Sequence, residues 1–528
     1  MEFMDIIYFL VLIYLTYVVI IYLVHRKTRF LVHPIKGVMN GVNPVFIFGD
    51  IPFNLFGLKP RATNALGDIY YRWFFWNPVV EIKDLNSLHY IYNMNCINYP
   101  RSWNQSNSPL NILSKSEAKR FYRIYFNALL SKNTMSELLP IVREEVFDFI
   151  KSKIDPPSNR VLSTNIDIPK FLLKLMSRVY LGSGEDCLEC LTAFYDKFHN
   201  NPKTFLHFLF PLLYKLPTKF SKNYQESKSK RLLFKLIAMK AYYRVQPCSD
   251  DDKIEGSLLN VIAKASYNDR EGLSLDEIII PYFILNITSL CSPISIMTSF
   301  IYMMIQHPEV EDKIRNEINQ VLKRNNHTVE NFTYDDMLEM TYLDASFDEL
   351  VRLYPPFGRL IPRVAKNSDR VLGYHIPKGT TITCPVSDIL RDPKYFEEPD
   401  KFKPERQFKF NAILDSPPLK YCPGSSHLFS PTRSRESMEL AKDDIERNKR
   451  IVKSMPWGVG SNKCMAKEFS KMMIKTIIIT LYSQFTFRSI KDSEQYKFSN
   501  IKIEQIFQPT VEPPLLFKPI PISQSSQE

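Results

Sequence analysis

Met455–Glu468 reads MPWGVGSNKCMAKE. Gly458 and Gly460, two of only 15 glycines in 528 residues, stand just before Cys464. Helical periodicity then resumes from Met465 through Leu481. The pattern puts a cysteine at the entrance to a helix, where the helix dipole and nearby backbone N–H groups stabilise a thiolate. Glycines at this place let the backbone approach a flat ligand closely, and Trp457 supplies an aromatic shield. A soft thiolate so placed is a good axial ligand for haem iron and donates electron density that favours O–O cleavage. Taken alone, the cysteine reads equally well as a buried structural thiol.

Upstream, Glu349-Leu-Val-Arg352 sets a carboxylate and a guanidinium at i and i+3, sharing one helix face. The pair is common by itself. Here it runs on as LYPPFGRLIPRVA and then GYHIPKGTTI, and RDPKYFEEPDKFKPERQF follows. In the last run Arg406 is placed to return to Glu349. A buried triad of charges makes structural sense only with well-satisfied hydrogen bonds.

The rest of the chain frames these motifs. Apolar residues make up 45% and charged residues 23%, which excludes a wholly disordered chain, a collagen-like repeat and a multi-span membrane protein. Eight cysteines are too sparse for a disulfide scaffold. The lone Cys187/Cys190 pair has no second half, so it supports neither zinc nor redox chemistry well. Net charge is +12, which suits an acidic protein or an anionic membrane face. Lys215–Lys230 is a basic, aromatic-studded patch, read as a solvated face or a membrane contact rather than a nucleic-acid site.

Ile6–Val24, IIYFLVLIYLTYVVIIYLV, carries no charge and is long enough to span a bilayer. Basic residues follow it, at His25, Arg26, Lys27 and Arg29, so the remainder is expected on the cytoplasmic side. A cleaved signal peptide needs basic residues before the run and small residues after it, and both are missing. The organisation expected is an anchor over 1–25, a proline-punctuated connector over 26–52 and a catalytic domain over 53–528, with a polar insertion near 407–453. Gly67–Leu85 carries a hairpin signal split at Asn77-Pro78. Residues 116–272 are helical in pattern, and Leu273–Leu322 reads as one long helix opened by a Ser274/Glu277 capping box. Strand-like segments return over Val371–Cys384 and near the C-terminus.

Taken in order, these motifs resemble the cytochrome P-450 family of haem-thiolate enzymes, in its microsomal, N-anchored form. The resemblance covers essentially everything after the anchor. It implies a mainly helical fold with a small β-rich lobe, preceded by one transmembrane helix, and haem b as cofactor. It implies Cys464 as axial iron ligand, within a loop of Trp457, Gly458 and Gly460. Glu349, Arg352 and Arg406 are implied as a structural triad, and Arg123 and Arg363 as partners of the haem propionates. Ordinary surface arginines are the other reading of Arg123 and Arg363. The run MPWGVGSNKC is nearest in spacing to the branch holding prostacyclin synthase and the sterol 7α- and 12α-hydroxylases.

Some positions depart from the family pattern. Asn462 and Lys119 stand where propionate contacts are usual, and Ala466 replaces a glycine. In the central helix, Cys291 sits where an acid is expected, and no Asp or Glu lies between Glu277 and Glu309. Proton delivery would then run through Ser292, Thr288 and water. The function implied is insertion of one atom of O₂ into a sterol-like or fatty-acid-like molecule in the endoplasmic reticulum membrane. An NADPH-dependent flavoprotein reductase would supply electrons. Two alternatives stay open: a reductase-independent isomerase or dehydratase of a lipid peroxide, and a haem protein without turnover.

Overall fold

The structure, a computed structural model, describes residues 14, 16, 39–40, 67–74, 77–101, 120, 123–125, 127, 129, 131–154, 162–164, 166–182, 257–267, 292–408, 447–460, 463–489 and 516–521. The run 6–24 (Tyr14 and Thr16 apart), the Cys187/Cys190 pair, the 215–230 patch, the Ser274/Glu277 box and residues 409–446 lie outside them. Among the described residues no helix is long and apolar enough to cross a membrane. The chain divides into two compact units. The first draws on Met1–Asn107 and Val351–Cys464, the second on Ser108–Leu350 and the chain from Met465 onward, apart from Asn500–Ile506 of the first. The architecture is the mainly helical one expected, with small sheets.

In the first unit a five-stranded sheet runs in the order Met39–Asn40, Ile69–Phe74, Asn77–Ile82, Thr381–Thr383, Arg363–Val364. The expected hairpin is present, with Ile69 opposite Ile82 and Phe74 opposite Asn77. Asn77 and Pro78 belong to the second strand and not to the turn. Pro78 is tolerated because the parallel partner strand begins only at Val79, so the missing N–H costs no ladder bond on that side. Asp84 caps the short helix Leu85–His89, its carboxylate accepting from the Ser87 N–H at 2.7 Å. Strands Asp369–Val371 and Tyr374–Ile376 form a separate hairpin. One core joins these elements through Ile82, Leu88, Ile91, Ile376 and Ile382, and receives Ile451, Val452 and Met455 from the segment ahead of Cys464. The far end of the expected polar insertion is therefore a helix over residues 447–454 whose apolar residues enter this core.

The second unit is helical, with helices Lys132–Phe149, Asp167–Leu181, Leu258–Tyr267, Pro308–Arg324, Tyr334–Glu339 and Lys467–Tyr482. Leu516–Pro521 pairs between Leu162–Ser163 and Phe485–Ser489 in a small sheet. Helix Lys467–Tyr482 is buried from Met472 onward. Its one deeply buried charge, Lys475, donates to the Met337 carbonyl at 2.7 Å and pairs with Asp344 at 3.2 Å. Thr476 and Thr480 satisfy their hydroxyls on carbonyls one turn back, at 2.8 and 2.9 Å. The single helix expected over Leu273–Leu322 is broken. Residues 292–306 are helical, His307 leaves helical geometry at φ −130°, ψ 66°, and a new helix starts at Pro308. Proline has no N–H to donate, its ring collides with the carbonyl four residues back, and it steers the preceding residue out of the α region.

Candidate haem-thiolate site

The Cys464 loop is pinned at its near end by apolar burial. Met455, which opens a 3-10 turn over Met455–Trp457, and Val459 just beyond it are 1% and 3% exposed in the first unit's core. Gly458 then takes φ 90° and Gly460 φ 76°, where a side chain is strained. At Gly460 the neighbours are also close: a Cβ there would collide with the Tyr92 carbonyl and with Asn93 Oδ1. The loop closes on itself, since the Cys464 N–H donates to the Trp457 carbonyl at 2.6 Å and the Lys463 N–H to the Gly460 carbonyl at 3.3 Å. Cys464 ends exposed, three residues before Lys467 opens the next helix. The other described cysteines differ. Cys384 is wholly buried, and burial pushes its thiol well above the ordinary range, so it stays neutral; Cys96 is half-buried.

Arg363 lies on the edge strand of the same unit's sheet and is 3% exposed. Its Nη1 donates to the Tyr99 carbonyl at 3.3 Å, and its guanidinium sits over the Tyr92 ring at 4.8 Å. Nε and Nη2 are buried with no hydrogen-bond partner among the described residues. No carboxylate among those residues pairs with it, and a second cation, Arg101, is bridged to it through the backbone. Burial pushes the Arg363 pKa down; Tyr92 opposes the shift and Arg101 adds to it. A buried cation with unused donors costs free energy unless an anion meets it.

Arg352 is its opposite. It is 2% exposed, donates to the Leu390, Pro399 and Lys401 carbonyls at 2.8, 2.7 and 3.3 Å, and stacks on Phe396 at 4.8 Å. Arg406 donates to the Glu397, Glu398 and Lys401 carbonyls at 2.5, 3.1 and 3.1 Å. Two members of the expected triad therefore meet at the Lys401 carbonyl. Glu349 is fully buried, three residues before Arg352 on helix Thr341–Leu353. Glu398 is gripped by Lys401 and Lys403, which hold its carboxyl down at about 2.

The remaining expected residues are placed as follows. Arg123 is exposed on a helical stretch of the second unit. Ser292 is half-buried at the start of the described helical residues 292–306, and Thr288 and Asn462 lie outside the described residues. Sequence reasoning missed Arg101 and Tyr92. It also missed the buried Glu81, which takes a hydrogen bond from Tyr70 at 2.7 Å and an ion pair from Arg359 at 2.5 Å. No local pattern marks any of them, because each meets its partner through the sheet.

These residues fit a flat ligand that carries iron and carboxylates: an accessible sulfur on a glycine loop, and a buried cation with two unused donors. Among the described residues no cluster of three or more His, Cys, Asp or Glu is set to hold a metal directly. The class so defined is a haem-thiolate protein. The family model for cytochrome P450 matches residues 61–516. A probable cytochrome P450 556A1 of Dictyostelium discoideum is 38% identical over 97% of this chain and 98% of its own length. Shorter matches include cytochrome P450 3A9 of Rattus norvegicus, 29% identical over 42% of this chain and 36% of its own. Another is a lithocholate 6-beta-hydroxylase of Mesocricetus auratus, 30% identical over 41% of this chain and 35% of its own. The chain belongs to the cytochrome P450 family: it is a monooxygenase-type oxidoreductase, and its cofactor is haem b.

Proposed function

We propose that the protein inserts one oxygen atom into a sterol-like or fatty-acid-like substrate, with electrons from an NADPH-dependent flavoprotein reductase. Haem supplies the oxygen chemistry when bound, and the thiolate supplies the electron density that favours O–O cleavage. Cys464 would hold the iron in this reading, on a loop closed by the bonds to the Trp457 and Gly460 carbonyls. Arg363 would hold a propionate, having Nε and Nη2 to spare, and Arg123 is the second propionate candidate. The two unpartnered donors of the Arg363 guanidinium among the described residues, in the same unit as an accessible Cys464, are the observation that carries the reading. Arg352, Arg406 and Glu349 hold the fold around the loop. Ser292 and Thr288 pass protons through water in place of an acid. The apolar run 6–24 anchors the chain in the endoplasmic reticulum membrane, with the catalytic part in the cytoplasm.

Support for the substrate class comes from a relative named for hydroxylating lithocholate. Reduction under carbon monoxide tests the ligand: a red-shifted Soret band that disappears in Cys464→Ser is expected. A spectrum typical of imidazole ligation would overturn the assignment. A second reading, isomerisation of a lipid peroxide, is favoured by the absence of Asp and Glu between Glu277 and Glu309. It requires turnover of a lipid hydroperoxide without NADPH, whereas the main reading requires product only with reductase and NADPH.

A further inference from the structure

Helices Pro308–Arg324 and Lys467–Tyr482 of the second unit pack against each other. Glu311, in the first turn of one, is 2% exposed, and Tyr482, the last residue of the other, is fully buried. Glu311 Oε1 takes the Nη2 donor of Arg315, one turn further on. Three polar atoms here are buried with no hydrogen-bond partner among the described residues: Glu311 Oε2, Arg315 Nε and the Tyr482 hydroxyl. The three side chains share one neighbourhood. Burial pushes the Tyr482 phenol well above its ordinary range, the Glu311 charge pushes it further, and the Arg315 charge opposes.

The surrounding side chains do not supply the missing bonds. Phe300 and Phe487 stand edge-on to the Tyr482 ring, at 5.4 and 5.0 Å between ring centres, and offer no acceptor to its hydroxyl. Burial raises the Glu311 carboxyl, and a hydrogen bond from Thr486 opposes this. Thr486 itself accepts from Arg488 Nη1 at 3.1 Å, so its proton is already spent. Buried polar groups that go unmet are costly, and native interiors rarely keep them.

The chemistry of the three atoms selects what meets them. A carboxylate oxygen only accepts, a guanidinium nitrogen only donates, and a phenol does either. The partner must therefore give and take hydrogen bonds at one point. Glu311 and Arg315 cancel each other's charge, so the site calls for neither a cation nor an anion. We propose that Glu311, Arg315 and Tyr482 together hold one internal water molecule, which accepts from Arg315 Nε and the Tyr482 hydroxyl and donates to Glu311 Oε2. Three bonds to otherwise unmet groups is the ordinary complement of a buried water. Such a water fastens the start of one helix to the end of the other, a join that neither helix makes with its own side chains.

Two measurements on the full chain test this. A crystal structure fine enough to show ordered water should place a single peak within about 3 Å of Glu311 Oε2, Arg315 Nε and the Tyr482 hydroxyl. The lack of such a peak, or a Tyr482 hydroxyl bonded directly to Glu311, overturns the proposal. Tyr482→Phe keeps the ring and deletes one bond to the water, so the unfolding constant in urea should rise roughly fivefold. In a dry site the same change removes an unmet hydroxyl. An unfolding constant that stays level or falls therefore overturns the proposal as well.

Discussion

Arg352 and Arg363 are both buried guanidinia of one unit, and each stacks on an aromatic ring at 4.8 Å. Arg352 spends its donors on the carbonyls of Leu390, Pro399 and Lys401; among the described residues Arg363 finds no partner for Nε or Nη2. A buried cation satisfied by its own chain is a structural rivet. One left unsatisfied is half of a binding site, because the fold alone does not repay its desolvation.

The two arginines should therefore respond in opposite ways. Arg352→Met strands the Leu390 and Pro399 carbonyls, the Lys401 carbonyl keeping its bond from Arg406, and should cost about 3–5 kcal/mol with or without cofactor. Urea denaturation of the apo and haem-loaded forms checks this, and a loss confined to the loaded form would break the contrast. Arg363→Met removes an unsatisfied cation, so the apoprotein should be unchanged or slightly more stable. Haem should then pass to excess apomyoglobin roughly tenfold faster or more, as expected for loss of a charge-assisted hydrogen bond. If the apoprotein is instead weakened as much as by Arg352→Met, Arg363 is a second rivet.

Gly460→Ala tests the loop that packs on the same Tyr92 as Arg363. A methyl group would press into the Tyr92 carbonyl at a positive φ, so a loss of about 2 kcal/mol and reduced haem retention are expected.

The second unit repeats the contrast with anions. Burial works to raise the Asp336 carboxyl. Hydrogen bonds from Thr333, Asn325 and His327 outweigh it and hold the carboxyl below the ordinary range. Glu311 pairs with Arg315 but keeps Oε2 buried without a partner among the described residues. Burial pushes its carboxyl up, and Thr486 and Arg315 only partly offset this. The Asp336 contribution is present above the unfolded pKa of about 3.9 and is lost as pH falls through the lower folded value. For Glu311 the sign reverses, and stability falls as pH rises from about 4.3 through the raised folded value. Asp336→Asn should flatten the acid limb of a stability–pH curve, and Glu311→Gln the limb above it.

The smallest effect expected is a gain. Leu372, at φ 51° in the turn between strands Asp369–Val371 and Tyr374–Ile376, is strained, and Leu372→Asn should stabilise by about 1 kcal/mol in thermal melts.

What could be read from the sequence divides along the same line. Cys464, its glycines, and the Glu349/Arg352 pair are legible because their chemistry demands given residue types at given spacings along one segment. Arg363 was found by its place after that helix, but its orphaned donors were not, since they depend on Tyr92, Tyr99 and Arg101 arriving through the sheet. Tyr92 leaves no local trace because its part is played by a carbonyl and a ring face. The break at Pro308 has a local signal, a proline that lacks an N–H and turns His307 out of helical geometry, which apolar periodicity on both sides hides.

Tyr92 touches both ends of the candidate site. Its carbonyl is the wall against which Gly460 is packed, its ring is the floor under Arg363, and its hydroxyl is tied to the Ile361 carbonyl at 3.0 Å. One residue, through its backbone on one side and its ring on the other, thus links the sulfur-bearing loop to the carboxylate-seeking cation. Loop and cation are joined through the protein itself before any cofactor arrives.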